Sequence, residues 1–150
     1  MKNHDEFTLA RHGALLVLCG LDISGGSVAE ALRDYPSSLA DEETLEGKSA
    51  EVRKSWPQIQ ERVLGVHEQL DALNDEIRSV SPRWKIERMA PVDRSILRLG
   101  IWDILFNQCL PLAVINDCVE LAKSYGEKGT PAFVNGLLDQ VCQNHGIAIK

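Results

Sequence analysis

Apolar residues recur at three- and four-residue intervals along most of the chain, which is the spacing of amphipathic helices. The first such stretch covers residues 7–20, and Gly20 is placed to end it. A narrow apolar stripe over residues 57–80 predicts a longer helical region suited to a bundle. Pro57 fits the first turn of this region, or a kink in a helix that begins earlier. Further stripes predict helices over residues 92–107, 112–125 and 131–145.

Shorter signals complete the predicted order of elements. Ser27 and Glu30 have the spacing of a capping box, which predicts a short helix that cannot run past Pro36. Residues 37–49 are polar and acidic and predict a loop, and residues 84–89 predict a single helical turn. No segment shows the period-two alternation of a half-buried strand. The sequence therefore predicts an all-α fold of about seven helices.

Composition and charge restrict the possible functions. A chain of 150 residues fits one domain with a real core, and its net charge of -6 argues against gripping nucleic acid by bulk electrostatics. No apolar run approaches the roughly 20 residues of a membrane span, so no membrane contact is expected. The N-terminus carries Asp5 and Glu6 where a signal peptide needs basic residues. We therefore expect a cytoplasmic protein.

Motifs for catalysis or metal binding are missing from the sequence. It contains no HExxH, phosphate-binding loop or nucleophile elbow, and the scattered cysteines lack ligand spacing. We interpret the cysteines as small buried side chains, and we expect no metal, no cofactor and no enzymatic activity. These are Cys19, Cys109, Cys118 and Cys142.

Basic residues are densest between residues 83 and 98. Two interpretations are open: an ion-paired solvated face, offset by Glu87, Asp93 and Asp103, or a mixed-charge surface that binds a partner. The cluster consists of Arg83, Lys85, Arg88, Arg94 and Arg98.

Three blocks in the C-terminal half carry a resemblance to a known family. They read VDRSILRLG at 92–100, VINDCVELAKSYG at 114–126 and FVNGLLD at 133–139. In this order and spacing they resemble NusB, the bacterial transcription antitermination factors, along nearly the full chain. The resemblance implies one NusB-like domain over residues 1–150, built from two small helical bundles. The same domain precedes the catalytic domain of some ribosomal RNA cytosine methyltransferases, but we expect no such catalytic domain in this protein.

The resemblance also implies partners. NusB-like proteins pair with NusE, a small-subunit ribosomal protein, and the pair binds the boxA element of nascent ribosomal RNA. That complex helps RNA polymerase read through terminators. By this resemblance Glu87 and Asp93 face the basic NusE protein, while Asp93 alternatively caps its own helix. Whether the protein is a monomer or a homodimer is open.

RNA contact in the family comes from an arginine-rich N-terminal segment and from the turn before the last helix. In this chain the turn matches well, and Phe133 fits either base stacking or a core position. The N-terminal segment departs from the family, because Lys2 and Arg11 are its only full cations and Cys19 replaces a common aromatic residue. The RNA-binding residues implied by the resemblance are Lys2, Arg11, His12, Lys128, Phe133 and Asn135.

Three functions follow from these observations. The first is an antitermination factor that pairs with NusE and binds boxA-like RNA. The second is a protein-interaction module of the same fold that has lost most RNA contact, which the acidic N-terminus favours. The third, an RNA-modifying enzyme or its detached accessory domain, is supported only by analogy of fold.

Overall fold

The all-α prediction is confirmed. The computed structural model describes residues 4–34 and 49–150, and these ranges contain eight α-helices, one 3-10 turn and no strand. The helices are α1 (His4–Ser24), α2 (Val28–Asp34), α3 (Ser49–Lys54), α4 (Trp56–Glu68), α5 (Leu70–Val80), α6 (Pro91–Leu105), α7 (Pro111–Tyr125) and α8 (Thr130–Asn144), and the 3-10 turn Ile86–Arg88 lies between α5 and α6.

Helix α1 is longer than the sequence predicts. It passes through Gly20 and ends at Ser24, so the predicted end at Gly20 is wrong. The helix stops where Gly25 takes φ +70°, with its N–H donating to the Leu21 carbonyl at 2.8 Å. The additional turn places the Asp22 carboxylate 2.6 Å from Arg94 Nε on α6. This contact between distant helices favours extension beyond a glycine that by itself only weakens a helix.

The helical region predicted over residues 57–80 is divided into α4 and α5. The break falls at Gln69, whose φ of −104° and ψ of 20° leave the helical range. A further helix, α3, is separated from α4 by Ser55 alone. Helix α4 carries Pro57 in its first turn. These two differences add two helices to the six that were predicted besides the turn at residues 84–89, which gives the eight α-helices of the described residues. Residues 37–48 of the predicted loop lie outside the described residues, and Ser49 begins α3.

The shorter predicted signals agree with the structure. Ser27 Oγ accepts a hydrogen bond from the Glu30 N–H at 3.1 Å, which is one half of the predicted capping box. The turn predicted over residues 84–89 is the 3-10 turn Ile86–Arg88. Gly126 follows the last residue of α7, as expected.

Helix α6 lies at the centre of the packing. It contacts α1 and α4 as well as α5, α7 and α8, so it joins an N-terminal and a C-terminal group of helices. Ile96, Leu97 and Leu99 on α6 are completely buried. A Cβ added at Gly100 would lie 3.0 Å from both Cys118 Sγ and a Leu138 methyl carbon, so the glycine permits close approach of α7 and α8.

A cluster of buried charges crosses this centre. Asp103 Oδ2 on α6 accepts hydrogen bonds from Arg11 Nε of α1 at 2.6 Å and from Arg62 Nε of α4 at 3.0 Å. Arg11 also donates through Nη1 to Asp117 Oδ2 of α7 at 2.7 Å. The arginines and Asp103 have no exposed surface, so each charge depends on its partners for the solvation that it lost.

The composition of α1 requires one correction. Residues 6–24 are long and apolar enough to pass for a membrane span, with a mean hydropathy of 1.3, although no such run was expected. Its buried residues explain the apolarity, because Ala10, Ala14 and Leu15 pack in the core and Arg11 joins the charge cluster. Within the described residues, α1 is a core helix of the domain.

The charge cluster predicts a large effect of Asp103→Asn. This change keeps the size of the side chain but leaves two buried guanidinium groups with one carboxylate, so we expect a loss of about 3–5 kcal/mol in the free energy of unfolding. Urea unfolding followed by circular dichroism measures it. Glu120→Gln, which breaks an exposed pair with Lys123, is the control and should cost under about 1 kcal/mol. Equal stability of the two variants would contradict this role of Asp103.

Candidate nucleic-acid interface

Arg11 is not placed to contact RNA. Its side chain has no exposed surface and both of its carboxylate partners lie inside the fold. Burial alone would lower the pKa of Arg11, but the negative charges of Asp103 and Asp117 outweigh this effect and raise the pKa. A phosphate could be reached only by breaking these contacts. The prediction that Arg11 binds RNA therefore disagrees with the structure, which gives this residue a role in stability.

His12 lies beside Arg11 but points to a different neighbour. Its Nε2 atom is 2.6 Å from the Tyr125 hydroxyl at the end of α7, and the two rings meet edge to face with centroids 5.6 Å apart. The side chain is half-buried. This contact fixes α1 against α7, so RNA contact by His12 stays a prediction. Lys2, the other N-terminal candidate, lies outside the described residues.

The turn before α8 keeps its predicted polar residues at the surface. Lys128 lies in the turn between α7 and α8 and is exposed, and Asn135 is exposed on α8. Phe133 is half-buried and packs against the core. Because two residues along a helix point to nearly opposite sides, Phe133 and Asn135 do not share one face. A single RNA base is therefore not expected to touch both side chains.

Phe133 has a neighbour that the sequence did not identify. The indole of Trp84 lies against it, with ring centroids 4.5 Å apart and an angle of 46° between the planes. Trp84 is 41% exposed and lies between two exposed cations, Arg83 and Lys85. The available signal was a tryptophan with basic neighbours in a predicted turn. Only the structure shows that this turn meets the start of α8.

Asp93 lies in the first turn of α6 and is 5% exposed. Its Oδ2 atom accepts a hydrogen bond from the Thr130 hydroxyl at 3.4 Å, and Oδ1 has no partner among the described residues. Burial raises the pKa of Asp93, the Thr130 hydroxyl opposes that shift, and the charge of Glu127 adds to it. The N-terminus of α6 shows no side-chain cap, so the capping alternative for Asp93 is not supported.

Glu87 is the exposed member of the predicted partner surface. Its carboxylate lies 3.4 Å from Arg78 on α5. A hydrogen bond from its own backbone N–H lowers the pKa of Glu87, and the guanidinium of Arg78 and the charge of Lys85 lower it further. The group is therefore held as a carboxylate at the surface, where a basic partner can reach it.

The basic cluster divides into two parts. Arg94 pairs with Asp22 at 2.6 Å, and Arg98 donates to Asn74 at 2.9 Å, so these two arginines connect helices. Their partners are not the acidic residues that the sequence suggested. Three exposed cations, in contrast, have no ion pair within the described residues. They are Arg83, Lys85 and Arg88.

The cysteines agree with their interpretation as small structural residues. Cys109, Cys118 and Cys142 are buried, Cys19 is partly buried, and all four are free thiols. Burial raises the pKa of each thiol. The groups therefore favour the neutral form, which is a poor nucleophile and metal ligand.

The predicted partner and RNA residues meet in one region. Thr130, the first residue of α8, donates a hydrogen bond to Asp93. Phe133, one turn later on the same helix, contacts the ring of Trp84. Trp84 and Glu87 share the segment between α5 and α6. This region, formed by residues 84–93 and 127–135, is called the α6–α8 corner below.

A comparison with protein-family models identifies the family. The model described as "NusB family" matches residues 8–143, which is most of the chain. The chain belongs to the NusB family. The match covers α1 from residue 8 onward and both segments of the α6–α8 corner.

Curated relatives agree with this assignment. The NusB transcription antitermination protein of Clavibacter sepedonicus is 38% identical over 135 residues, covering 89% of this chain and 93% of that protein. The NusB protein of Bacillus pumilus is 36% identical, with 88% and 91% covered. The NusB protein of Sorangium cellulosum is 51% identical over 87 residues, which cover 57% of this chain and 62% of that protein.

Solved structures share the fold. NusB of T. maritima is similar with a TM-score of 0.73 at 25% identity, covering 91% of this chain and 89% of that chain. A NusB chain from a structure of NusB and NusE with double-stranded RNA has a TM-score of 0.76 at 24% identity, with 93% and 98% covered. These likenesses agree with the two-bundle architecture expected of the NusB family.

The buried carboxylate predicts a pH-dependent effect of Asp93→Asn. Because the folded pKa of Asp93 is raised, the folded state binds more protons than the unfolded state between the two pKa values. The unfolding free energy contributed by this group therefore falls as the pH rises through that window. We expect the stability of the variant relative to the parent protein to increase as the pH rises above the unfolded pKa of about 4.

Urea unfolding across this pH range measures the effect. Glu87→Gln is the control of opposite sign, because its lowered folded pKa stabilises the parent protein above the unfolded pKa. The stability of this second variant relative to the parent should fall as the pH rises. Parallel pH profiles for both variants would show that burial does not raise the pKa of Asp93.

Proposed function

We propose that this protein is a transcription antitermination factor that pairs with NusE and, together with it, binds boxA-like single-stranded RNA. The NusB family match over residues 8–143 carries this proposal. It acts by binding rather than catalysis, and it reaches the transcribing RNA polymerase indirectly through the bound transcript. We place it in the cytoplasm, where it contacts nascent ribosomal RNA. Residues 1–150 are proposed to act as one domain.

The α6–α8 corner supports separate contact surfaces for the protein partner and for RNA. Glu87 offers an exposed carboxylate to the basic NusE protein, and the buried Asp93 accepts a hydrogen bond from Thr130. Lys128 and Asn135 are exposed on the neighbouring turn and helix, where a cation and an amide suit phosphate and base edges. A solved structure of similar fold contains NusB and NusE in complex with double-stranded RNA.

A second function is favoured by one observation, the burial of Arg11. With this cation inside the fold, the described N-terminal helix offers fewer phosphate contacts than the family pattern implies. The chain would then be an interaction module that binds NusE and has lost most RNA contact. The two functions differ in a single measurable property, the affinity for RNA.

The RNA proposal predicts preferential binding of boxA RNA by the NusE-bound protein. Labelled boxA RNA and a scrambled RNA should be titrated with the protein alone, with NusE alone and with the pair, across a salt series. We expect the pair to prefer boxA by about tenfold or more, which corresponds to about 1.4 kcal/mol. A plot of the logarithm of the affinity against the logarithm of the salt concentration should have a slope of about −0.7 per phosphate contact. Normal NusE binding without any boxA preference would establish the interaction module instead.

The partner proposal predicts that Glu87→Lys weakens the NusE complex. The change replaces an exposed carboxylate by a cation facing a basic protein, so we expect a loss of about tenfold in affinity, most of it in the association rate. Surface plasmon resonance at two salt concentrations measures it. Glu120→Lys is the matched control, because the two side chains are 67% and 69% exposed and each forms an ion pair with one cation. Equal effects of the two changes would place the NusE surface elsewhere.

A further inference from the structure

The exposed indole of Trp84 is a feature that the family-based site residues leave out. Most large apolar side chains of the described residues are buried, and an aromatic ring that is 41% exposed gains little from the core. Its inner side contacts Phe133, with ring centroids 4.5 Å apart. Phe133 is half-buried and packs against the core, so it holds the indole in place and has less free ring surface than Trp84.

The charges around Trp84 favour a polyanion as its ligand. Arg83 and Lys85 flank it in sequence and Arg88 follows within one turn, and none of the three has an ion pair within the described residues. Glu87 lies in the same segment and its carboxylate pairs with Arg78, so within this segment the cations outnumber the carboxylates. Unpaired cations beside an aromatic face are the combination by which proteins hold single-stranded nucleic acid without reading its sequence.

A groove beside the ring gives a ligand room to enter. It has a volume of about 390 Å³ and is lined by Trp84, by the cations Arg78 and Lys85 and by the carboxylate of Glu87, together with residues that follow α5. This size lies within the range of pockets that hold small ligands or single groups of larger ones. The ring thus borders an open recess rather than a flat surface.

We propose that Trp84, supported by Phe133, is the stacking platform for an unpaired base of single-stranded RNA. The inference rests on the proposed RNA-binding function and refines it, because it transfers the stacking role from Phe133 to the more exposed indole. Phe133 then acts as a positioning residue that fixes the indole, and Arg83 and Lys85 attract the flanking phosphates. The position of the platform, between Glu87 and the start of α8, brings the base close to the proposed NusE surface.

The test uses the full chain bound to NusE and a labelled single-stranded boxA RNA. Trp84→Ala should weaken RNA binding about 5- to 30-fold, and Trp84→Phe, which keeps an aromatic face, by less than about 5-fold. The salt slope of binding should not change, because stacking releases no counterions. Phe106→Ala is the matched control, since Phe106 is a similarly exposed aromatic residue, at 44%, beyond the end of α6, and its loss should leave RNA affinity unchanged.

Tryptophan fluorescence gives a second readout that a general loss of stability would not produce. Trp102 is buried and Trp56 is partly buried, so the exposed Trp84 should account for most of the change in fluorescence when RNA binds. We expect RNA to quench the parent protein and the Phe106→Ala variant, and the quenching to disappear in Trp84→Phe.

The possible failures are distinguishable. If the parent protein with NusE binds RNA but Trp84→Ala binds equally well, the stacking proposal is wrong and the proposed function stands. If Trp84→Ala loses NusE affinity while the RNA contact is unchanged, the ring belongs to the protein partner and the stacking proposal is also wrong. If neither the parent protein nor its NusE complex binds RNA, both proposals fail together.

Discussion

The structure depends on the carboxylate of Asp103, which holds three helices through two buried arginines. One oxygen accepts from Arg11 on α1 and from Arg62 on α4, and Arg11 continues the network to Asp117 on α7. A buried charge that loses its partner has nothing to offset its lost hydration, so the relative positions of these helices are strongly coupled. The cluster also gives the N-terminal helices a polar connection to the C-terminal ones, in addition to the apolar contacts around α6.

The buried cluster limits the number of cations that are available for contact with RNA phosphates. An arginine that neutralises Asp103 cannot at the same time neutralise a phosphate at the surface, so the fold and RNA binding compete for Arg11. The same is true of Arg94, which connects α6 to Asp22 of α1. With a net charge of -6, the protein has few cations left for RNA, and three that have no ion pair in the described ranges, Arg83, Lys85 and Arg88, lie in or beside the α6–α8 corner. Affinity for RNA should therefore depend more on stacking and on the partner than on bulk charge.

The sequence predicted the helices better than their ends and their contacts. Helical periodicity is a local property, so the stripes over residues 92–107 and 112–125 were sufficient to locate α6 and α7. The end of α1 depends on Asp22 meeting Arg94, which lies 72 residues away and leaves no local signal. The burial of Arg11 likewise depends on Asp103, at a separation of 92 residues. Charged residues are usually exposed, so only the tertiary contact reveals such an exception.

The same reasoning explains why the candidate site was only partly predictable. The family blocks identify Phe133 and Asn135, but they cannot show that residues two apart on a helix face opposite sides while Trp84, 49 positions before Phe133, lies against its ring. The corner is formed by two short connections, and each brings a polar residue beside a buried one: Glu87 before Asp93, and Lys128 before Thr130. Asp93 and Thr130 hold the connections together through one hydrogen bond. A change at the buried pair should therefore alter the spacing of the exposed pair, which would link the proposed partner contact to the proposed RNA contact at this corner.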